Sequence, residues 1–282
     1  MKRILVTGGG GLIGRHALPA LRALGFDVRA VGRREADLHD AAAVEALLAR
    51  IRPTHLLHLA WITTHGSYWT SPENDRWVES SLQLVRRFHE SGGRRAVIAG
   101  TCAEYDWSGA VCSEETTRLA PTSRYGRAKD ELRRRLEAEG VPAFAWGRIF
   151  FTFGPGEQSQ RLVPSVASSL LRGTPAACTH GRQVRDYLYA GEVASAFAAL
   201  AESDITGPVN VASGCGVELR ILLGELAELA GRPDLLRFGA LEATVGEAPA
   251  VVADTARLKD EVGWRPATTL RAGLARTLEA LA

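Results

Sequence analysis

No apolar run in this sequence approaches the roughly 20 residues that a membrane-spanning helix needs, and the opening MKRILVTGG runs directly into a strand-like segment instead of a leader. A membrane protein is excluded on this reading, no export signal is visible, and a cytoplasmic location is expected. Cysteine is scarce. Cys102, Cys112, Cys178 and Cys215 lie far apart with no C-x-x-C pair, which speaks against a disulfide framework or a zinc site and for reduced thiols in a cytosol. An excess of one charge is also missing. The 34 basic residues face 32 acidic ones, and a net charge of +2 gives no field for nucleic acid. The run Arg133-Arg134-Arg135 reads as a solvated helix face. Lysine is nearly absent, standing only at Lys2, Lys129 and Lys259, so a lysine inside a motif carries information.

What is present suits one α/β core with a smaller attached lobe: 282 residues, 46% of them hydrophobic. The first half alternates short β-rich apolar runs with segments of helical period, the pattern of a parallel sheet covered by helices. Strands are predicted at 3–7, 27–31, 55–59, 96–99 and 143–148, and helices at 12–24, 41–51, 76–91 and 125–139. After Arg148 the Gly/Pro-punctuated Phe153-Gly154-Pro155-Gly156 opens mixed structure. The division is therefore residues 1–150 for a dinucleotide-binding domain and 151–282 mainly for a substrate-binding lobe. The stretch 190–212 is able to return to the first sheet.

Gly8-Gly9-Gly10-Gly11-Leu12-Ile13-Gly14 joins the first strand to an amphipathic helix. Bare Cα atoms there let backbone approach a pyrophosphate whose charge meets the N–H groups of the helix N-terminus, and Gly14 lets helix and strand pack closely. Two glycine registers fit, from Gly8 or from Gly9, and a flexible loop is the plain alternative. At the end of the second strand, where an acidic residue commonly binds the ribose of NAD, stand Gly32-Arg33-Arg34. Two guanidiniums suit a 2′-phosphate, so NADP(H) is preferred to NAD, with ordinary surface arginines as the alternative. Asp37 and Leu38 are placed near the adenine. Leu59-Ala60-Trp61 follow the third strand where backbone passes the cofactor, and no set of residues supports His58 as a metal ligand.

Tyr125-Gly126-Arg127-Ala128-Lys129 puts a phenol and an ammonium at i and i+4, on one helix face. A nearby ammonium favours phenolate and would bring the tyrosine pKa down from ~10, suiting proton exchange with a carbonyl or alcohol oxygen. A surface i,i+4 pair is the plain alternative. The fourth strand ends at Thr101, where strand ends face the ligand crevice and a hydroxyl can bond the reacting oxygen. Cys102 reads as a small pocket-lining residue, not a nucleophile.

Together these residues resemble the extended short-chain dehydrogenase/reductases, the family of sugar-nucleotide epimerases, dehydratases and 4-keto reductases. The likeness runs through Thr7-Gly8-x-x-Gly11-x-x-Gly14, Asp37-Leu38, His58-Leu59-Ala60, Thr101 ahead of Tyr105, and Pro121-x-x-x-Tyr125-x-x-x-Lys129. It continues through Arg148 with Gly154-Pro155-Gly156, Arg185-Asp186-Tyr187-Leu188-Tyr189, Asn210 and Gly263-Trp264-x-Pro266. It implies a Rossmann-type doubly wound sheet with a smaller C-terminal substrate lobe. Tyr125 would be the acid/base, Lys129 would hold the nicotinamide ribose, Thr101 would assist, and Ile149 would lie at the cofactor. Cys102, Ala103, Glu104 and Phe151 would meet a nucleotide-sugar substrate, with Arg185 on its phosphate. A homodimer through helices 76–91 and 125–139 is implied as well. Departures bear on the substrate: Phe151 stands where many members have Asn, and the arginine often found before Asp254 is absent around Thr244 and Val245. Cys102-Ala103 replace the Asp-Glu of the dehydratases, which argues against dehydration. The leading expectation is an NADPH-dependent reductase of a nucleotide-linked 4-keto-6-deoxy sugar. A 4-epimerase retaining NAD is the alternative, and a non-catalytic dinucleotide sensor would not be expected to keep Thr101, Tyr125 and Lys129 together.

Overall fold

The computed structural model describes residues 2–282. The chain runs β1 (Arg3–Thr7), α1 (Leu12–Ala23), β2 (Asp27–Val31), α2 (Ala41–Ile51), β3 (His55–His58), α3 (Glu73–Glu90), β4 (Arg95–Thr101), β5 (Val111–Cys112), α4 (Arg124–Ala138) and β6 (Phe144–Ile149). It continues with β7 (Phe151–Phe153), α5 (Leu162–Leu171), β8 (Ala176–Cys178), β9 (Val184–Tyr189), α6 (Ala190–Glu202) and β10 (Gly207–Val211). The last elements are β11 (Gly216–Glu218), α7 (Leu219–Leu229), β12 (Leu236–Phe238), β13 (Ala250–Ala253) and α8 (Leu270–Glu279).

Successive side chains of a strand point to opposite faces, and a parallel strand covered on both sides must be apolar throughout. In β1, Ile4 and Val6 pack into the layer under α1 and α6, while Leu5 packs into the layer under α2, α3 and α4. The main sheet has the order β10-β6-β4-β3-β1-β2 with every pair parallel. This is a Rossmann-type doubly wound sheet. Its strand order reverses between β1 and β3, and a ligand crevice opens beyond the carboxyl ends of strands at such a switch point. Among the described residues no helix is long and apolar enough to cross a membrane.

Two boundaries differ by more than one residue from the sequence reading. β4 runs through Gly100 to Thr101 because its ladder with β6 continues to the pair Thr101–Ile149, although neither Gly100 nor Thr101 has the apolar character that marks 96–99. α3 starts at Glu73, three residues ahead of the expected start. Its first turn is polar, which hides it from apolar periodicity. Glu73 and Asp75 suit the positive helix end, and the buried Asn74 amide donates to the carbonyls of Tyr68 (2.7 Å) and Ser71 (2.9 Å).

Past β6 the chain builds a second sheet of order β11-β9-β13-β5, with β7 on β9, and a small β8–β12 pair. α5, α7 and α8 close over a separate core that includes Phe153, Leu170, Leu222, Leu226 and Leu274. The stretch from α6 to β10 belongs to the main sheet, since β10 pairs with β6 and α6 fills one of its faces. In the other direction, β5 leaves the first half of the chain to pair with β13. The two lobes are thus tied together at the carboxyl ends of β4 and β6.

Candidate active site

The turn from β1 to α1 is shaped by close approach. A Cβ on Gly14 would lie 2.2 Å from the Gly8 carbonyl oxygen, and Gly8 itself has φ +71° with the Ala60 amide 2.8 Å from where its Cβ would be. No side chain caps α1 at Gly11 and its first turn holds no acidic residue. α2 and α4 are capped by Asp40 and Ser123. The uncapped N–H groups of α1 are free to meet a phosphate. Beside them a cavity of about 190 Å³ is lined by residues including Gly8, Arg33, Asp37, Leu38, Ala60 and Trp61. Arg33, Asp37, Leu38, Ala60 and Trp61 are thus brought around one cavity beside the glycine turn. Leu12 and Ile13 lie in the same first turn of α1. Arg34 is exposed next to Arg33 but does not line the cavity.

The sequence reading overlooked Glu35. Its carboxylate turns back to accept the Gly32 amide at 2.8 Å, so this strand end does carry an acid. His58 lies fully buried beneath the crevice, with Nδ1 hydrogen-bonded to the Thr7 hydroxyl (2.7 Å) and Nε2 to Ser81 (2.8 Å). Burial pulls its pKa down to about 3, and Lys129 adds to this. The neutral imidazole staples the ends of β1 and β3. No group of residues able to hold a metal ion occurs among the described residues.

Ser123 caps α4, accepting the Gly126 amide at 3.0 Å. A Cβ on Gly126 would lie 2.3 Å from the Ala103 carbonyl oxygen, so only glycine lets the start of α4 rest against the turn that follows β4. That contact brings Tyr125 beside Thr101. On the next strand Ile149 is in register with Thr101. Lys129 is 3% exposed, donates to the Ala99 carbonyl at 2.7 Å and sits 3.7 Å from the Trp61 ring centroid. Burial lowers its pKa to about 7.

The expectation that the ammonium would pull the phenol towards neutrality is corrected here. Burial raises the Tyr125 pKa above its ordinary value, Tyr68 adds to the rise, and Thr101 offsets only part of it. The ammonium is directed at Ala99 and Trp61, and low-polarity surroundings disfavour phenolate. Those surroundings come from the segment between β3 and α3. Tyr68 and Trp69 stand edge-on to Tyr125 at centroid distances of 5.1 and 5.7 Å, and the Tyr125 amide donates to the Trp69 carbonyl. Across the crevice Gln158 bonds the backbone of Thr63 and His65, both at 2.9 Å. These aromatic neighbours were not legible in the sequence, because they reach Tyr125 through an irregular loop that carries no periodicity.

Glu104 is not placed to meet a substrate. It is 0% exposed, and its carboxylate accepts from the Thr101 amide (2.8 Å), Trp146 Nε1 (2.9 Å) and Arg148 Nε (2.7 Å). Arg148 also donates to the Tyr105 hydroxyl (2.9 Å), which donates to Asn210 Oδ1 (2.8 Å). The network fixes the turn holding Thr101. Cys102 and Ala103 are each 6% exposed, and burial keeps the Cys102 thiol protonated well above its usual range. On the far side, Arg185 lies over Phe151 at 5.4 Å and pairs with Glu247 at 2.6 Å, a partner the sequence reading did not name. Thr101, Tyr125 and Lys129 therefore converge at the switch-point crevice, while Phe151 and Arg185 sit together on the second lobe.

Residues 4–212 match the NAD dependent epimerase/dehydratase family. A UDP-glucose 4-epimerase from Rhizobium leguminosarum bv. trifolii is 27% identical, with 93% of this chain and 92% of that protein covered. A CDP-abequose synthase from Salmonella typhimurium is 25% identical over 99% of this chain and 98% of its own length. Among solved structures, the UDP-glucose 4-epimerase of Thermus thermophilus in complex with NAD superposes with a TM-score of 0.85, at 27% identity, covering 99% of this chain and 98% of that one.

Proposed function

The chain belongs to the NAD dependent epimerase/dehydratase family, and on that premise we propose that it reduces the 4-keto group of a nucleotide-linked 6-deoxysugar with NADPH. The observation that carries the reading is the convergence of Thr101 and Tyr125 beside the dinucleotide cradle, with the phenol held in its protonated form by burial. A protonated phenol is the form that gives a proton to a carbonyl oxygen. Bound along the Gly8–Gly14 cradle, the nicotinamide cofactor supplies hydride transfer. Tyr125 delivers the proton to the oxygen, the Thr101 hydroxyl holds that oxygen by a hydrogen bond, and Lys129 is the nearby cation available to the nicotinamide ribose. Arg185 above Phe151 is the cation for a substrate phosphate, which has to share it with Glu247.

The choice of NADPH is supported by Arg33 on the adenosine cavity. Arg33→Ala is expected to weaken NADPH binding by roughly tenfold to a hundredfold, as for loss of one charge-assisted contact, with NADH binding nearly unchanged. Titration with both cofactors decides this, and equal losses or a wild type preferring NADH would overturn the assignment. A second reading, 4-epimerisation with retained NAD, is favoured by the UDP-glucose 4-epimerase relatives and by Glu35 at the end of β2. Stoichiometric NADPH consumption with a nucleotide-linked 4-keto sugar supports the reductase; interconversion of sugars without net consumption supports the epimerase. A homodimer through α3 and α4, already laced by the Arg135–Glu79 and Arg124–Asp75 pairs, belongs to the same proposal. So does a cytoplasmic location, with which four free cysteines agree.

A further inference from the structure

Between β7 and α5 the chain crosses the crevice from one wall to the other. It first lies against α1. Arg15 donates to the carbonyls of Gly10 (3.1 Å) and Gly11 (3.4 Å) at the rim of the glycine turn, and the same guanidinium packs on Gly156. A Cβ on Gly156 would lie 2.0 Å from Arg15 Nη1, and its φ of +85° is one that glycine adopts freely, so the chain bends closely past the turn there. The Pro155 carbonyl lies 3.4 Å from His16 Nε2 on the same helix. By Gln158 the segment has reached the other wall. Its side chain accepts the His65 amide through Oε1 and donates through Nε2 to the Thr63 carbonyl, both at 2.9 Å.

The loop met there is held at its two ends and loose in the middle. Leu59 and Ala60 bond Thr7, Trp61 Nε1 donates to Asn74 (2.8 Å), and Asn74 in turn holds the Tyr68 carbonyl (2.7 Å). Thr63, Thr64, His65 and Gly66 are exposed, and among the described residues the two bonds to Gln158 are the hydrogen bonds that tie these four to anything outside residues 59–72. They lie directly beyond Ala60 and Trp61, which line the cavity beside the glycine turn.

We propose that residues 154–158 form a strap over the dinucleotide cradle and that Gln158 is its clasp, which must unfasten for the cofactor to enter or leave. The inference rests on dinucleotide binding at the Gly8–Gly14 turn and not on the reaction assigned above. Both ends of the Gln158 amide are engaged by protein backbone, so losing the clasp speeds entry and exit together and leaves affinity nearly unchanged. That separates a gate from a ligand contact, whose loss speeds exit alone. Strap opening of this kind is a step able to limit turnover in an enzyme that exchanges its cofactor every cycle.

The test is stopped-flow fluorescence of the reduced nicotinamide, with NADPH or NADH according to which the wild type binds. Association is read by direct mixing, and release by displacement with excess oxidised cofactor. Gln158→Ala should raise both rate constants by about five- to fiftyfold, as for loss of two modest hydrogen bonds, with Kd changed by less than about threefold. Gln158→Glu keeps the acceptor for His65 but sets a carboxylate against the Thr63 carbonyl, and should also open the strap. Gln160→Ala, at an exposed neighbour outside the clasp, should leave both rates as in the wild type. Unchanged rates in Gln158→Ala, faster release with unaltered association, or equal acceleration in Gln160→Ala would overturn the proposal while leaving dinucleotide binding intact. A wild type that binds neither cofactor would overturn that reading as well.

Discussion

Tyr125→Phe is expected to lower turnover by about two to four orders of magnitude while leaving cofactor affinity close to that of the wild type. The substitution keeps the ring, and with it the edge-on contacts to Tyr68 and Trp69. The helix start is also preserved, because the cap comes from Ser123 and the close approach from Gly126. Only the hydroxyl beside Thr101 is removed. Because burial raises the phenol pKa, the proton-donating form persists through neutral pH, so the variant loses an acid that the wild type holds ready. Steady-state kinetics beside a cofactor titration separates the two effects. Near-normal turnover would mean that another group delivers the proton, and a parallel loss of cofactor affinity would mean that the ring position has moved.

The largest loss of stability is expected at Arg148. Its guanidinium and the Glu104 carboxylate are 1% and 0% exposed and lie 2.7 Å apart. Removing one member leaves the other charge buried without compensation, which typically costs about 3–5 kcal/mol. Against a usual total of about 5–15 kcal/mol, Arg148→Met should shift the denaturant midpoint strongly. The double variant Glu104→Gln with Arg148→Met removes both charges and should recover part of the loss. A single-variant loss below about 1 kcal/mol would show that the pair is not the strut described here. Turnover of the folded Arg148→Met protein should fall as well, because Glu104 accepts the Thr101 amide and so sets the position of that hydroxyl.

The parallel sheet was legible in the sequence because its strands are apolar on both faces, as Ile4, Leu5 and Val6 illustrate by packing in opposite directions. The glycine turn and the Tyr125/Lys129 pair were legible for a related reason: both depend on local spacing along one turn or one helix face. What the sequence hid depends on contacts between distant segments. Glu104 reads as a residue next to a catalytic threonine, yet it turns inward because Arg148 and Trp146 on β6 present donors to it. The phenol pKa was misjudged for the same cause. Helical spacing brings Lys129 near Tyr125, but not the Ala99 carbonyl and Trp61 ring that engage the ammonium, nor the Tyr68–Trp69 cover. The pairing of β5 with β13 likewise joins segments far apart in sequence, and no local pattern announces it.

On the proposed function, this crevice transfers a hydride from NADPH to a sugar carbon while Tyr125 protonates the adjoining oxygen. The most direct measurement uses NADPH carrying deuterium in place of both hydrogens of the transferring carbon, given to the enzyme with a nucleotide-linked 4-keto-6-deoxy sugar under single-turnover conditions. One deuterium is expected on the sugar carbon that becomes the alcohol for each NADP+ formed, and neither product with Tyr125→Phe on the same timescale. Unlabelled sugar, or sugars interconverted with no NADP+ released, would contradict it.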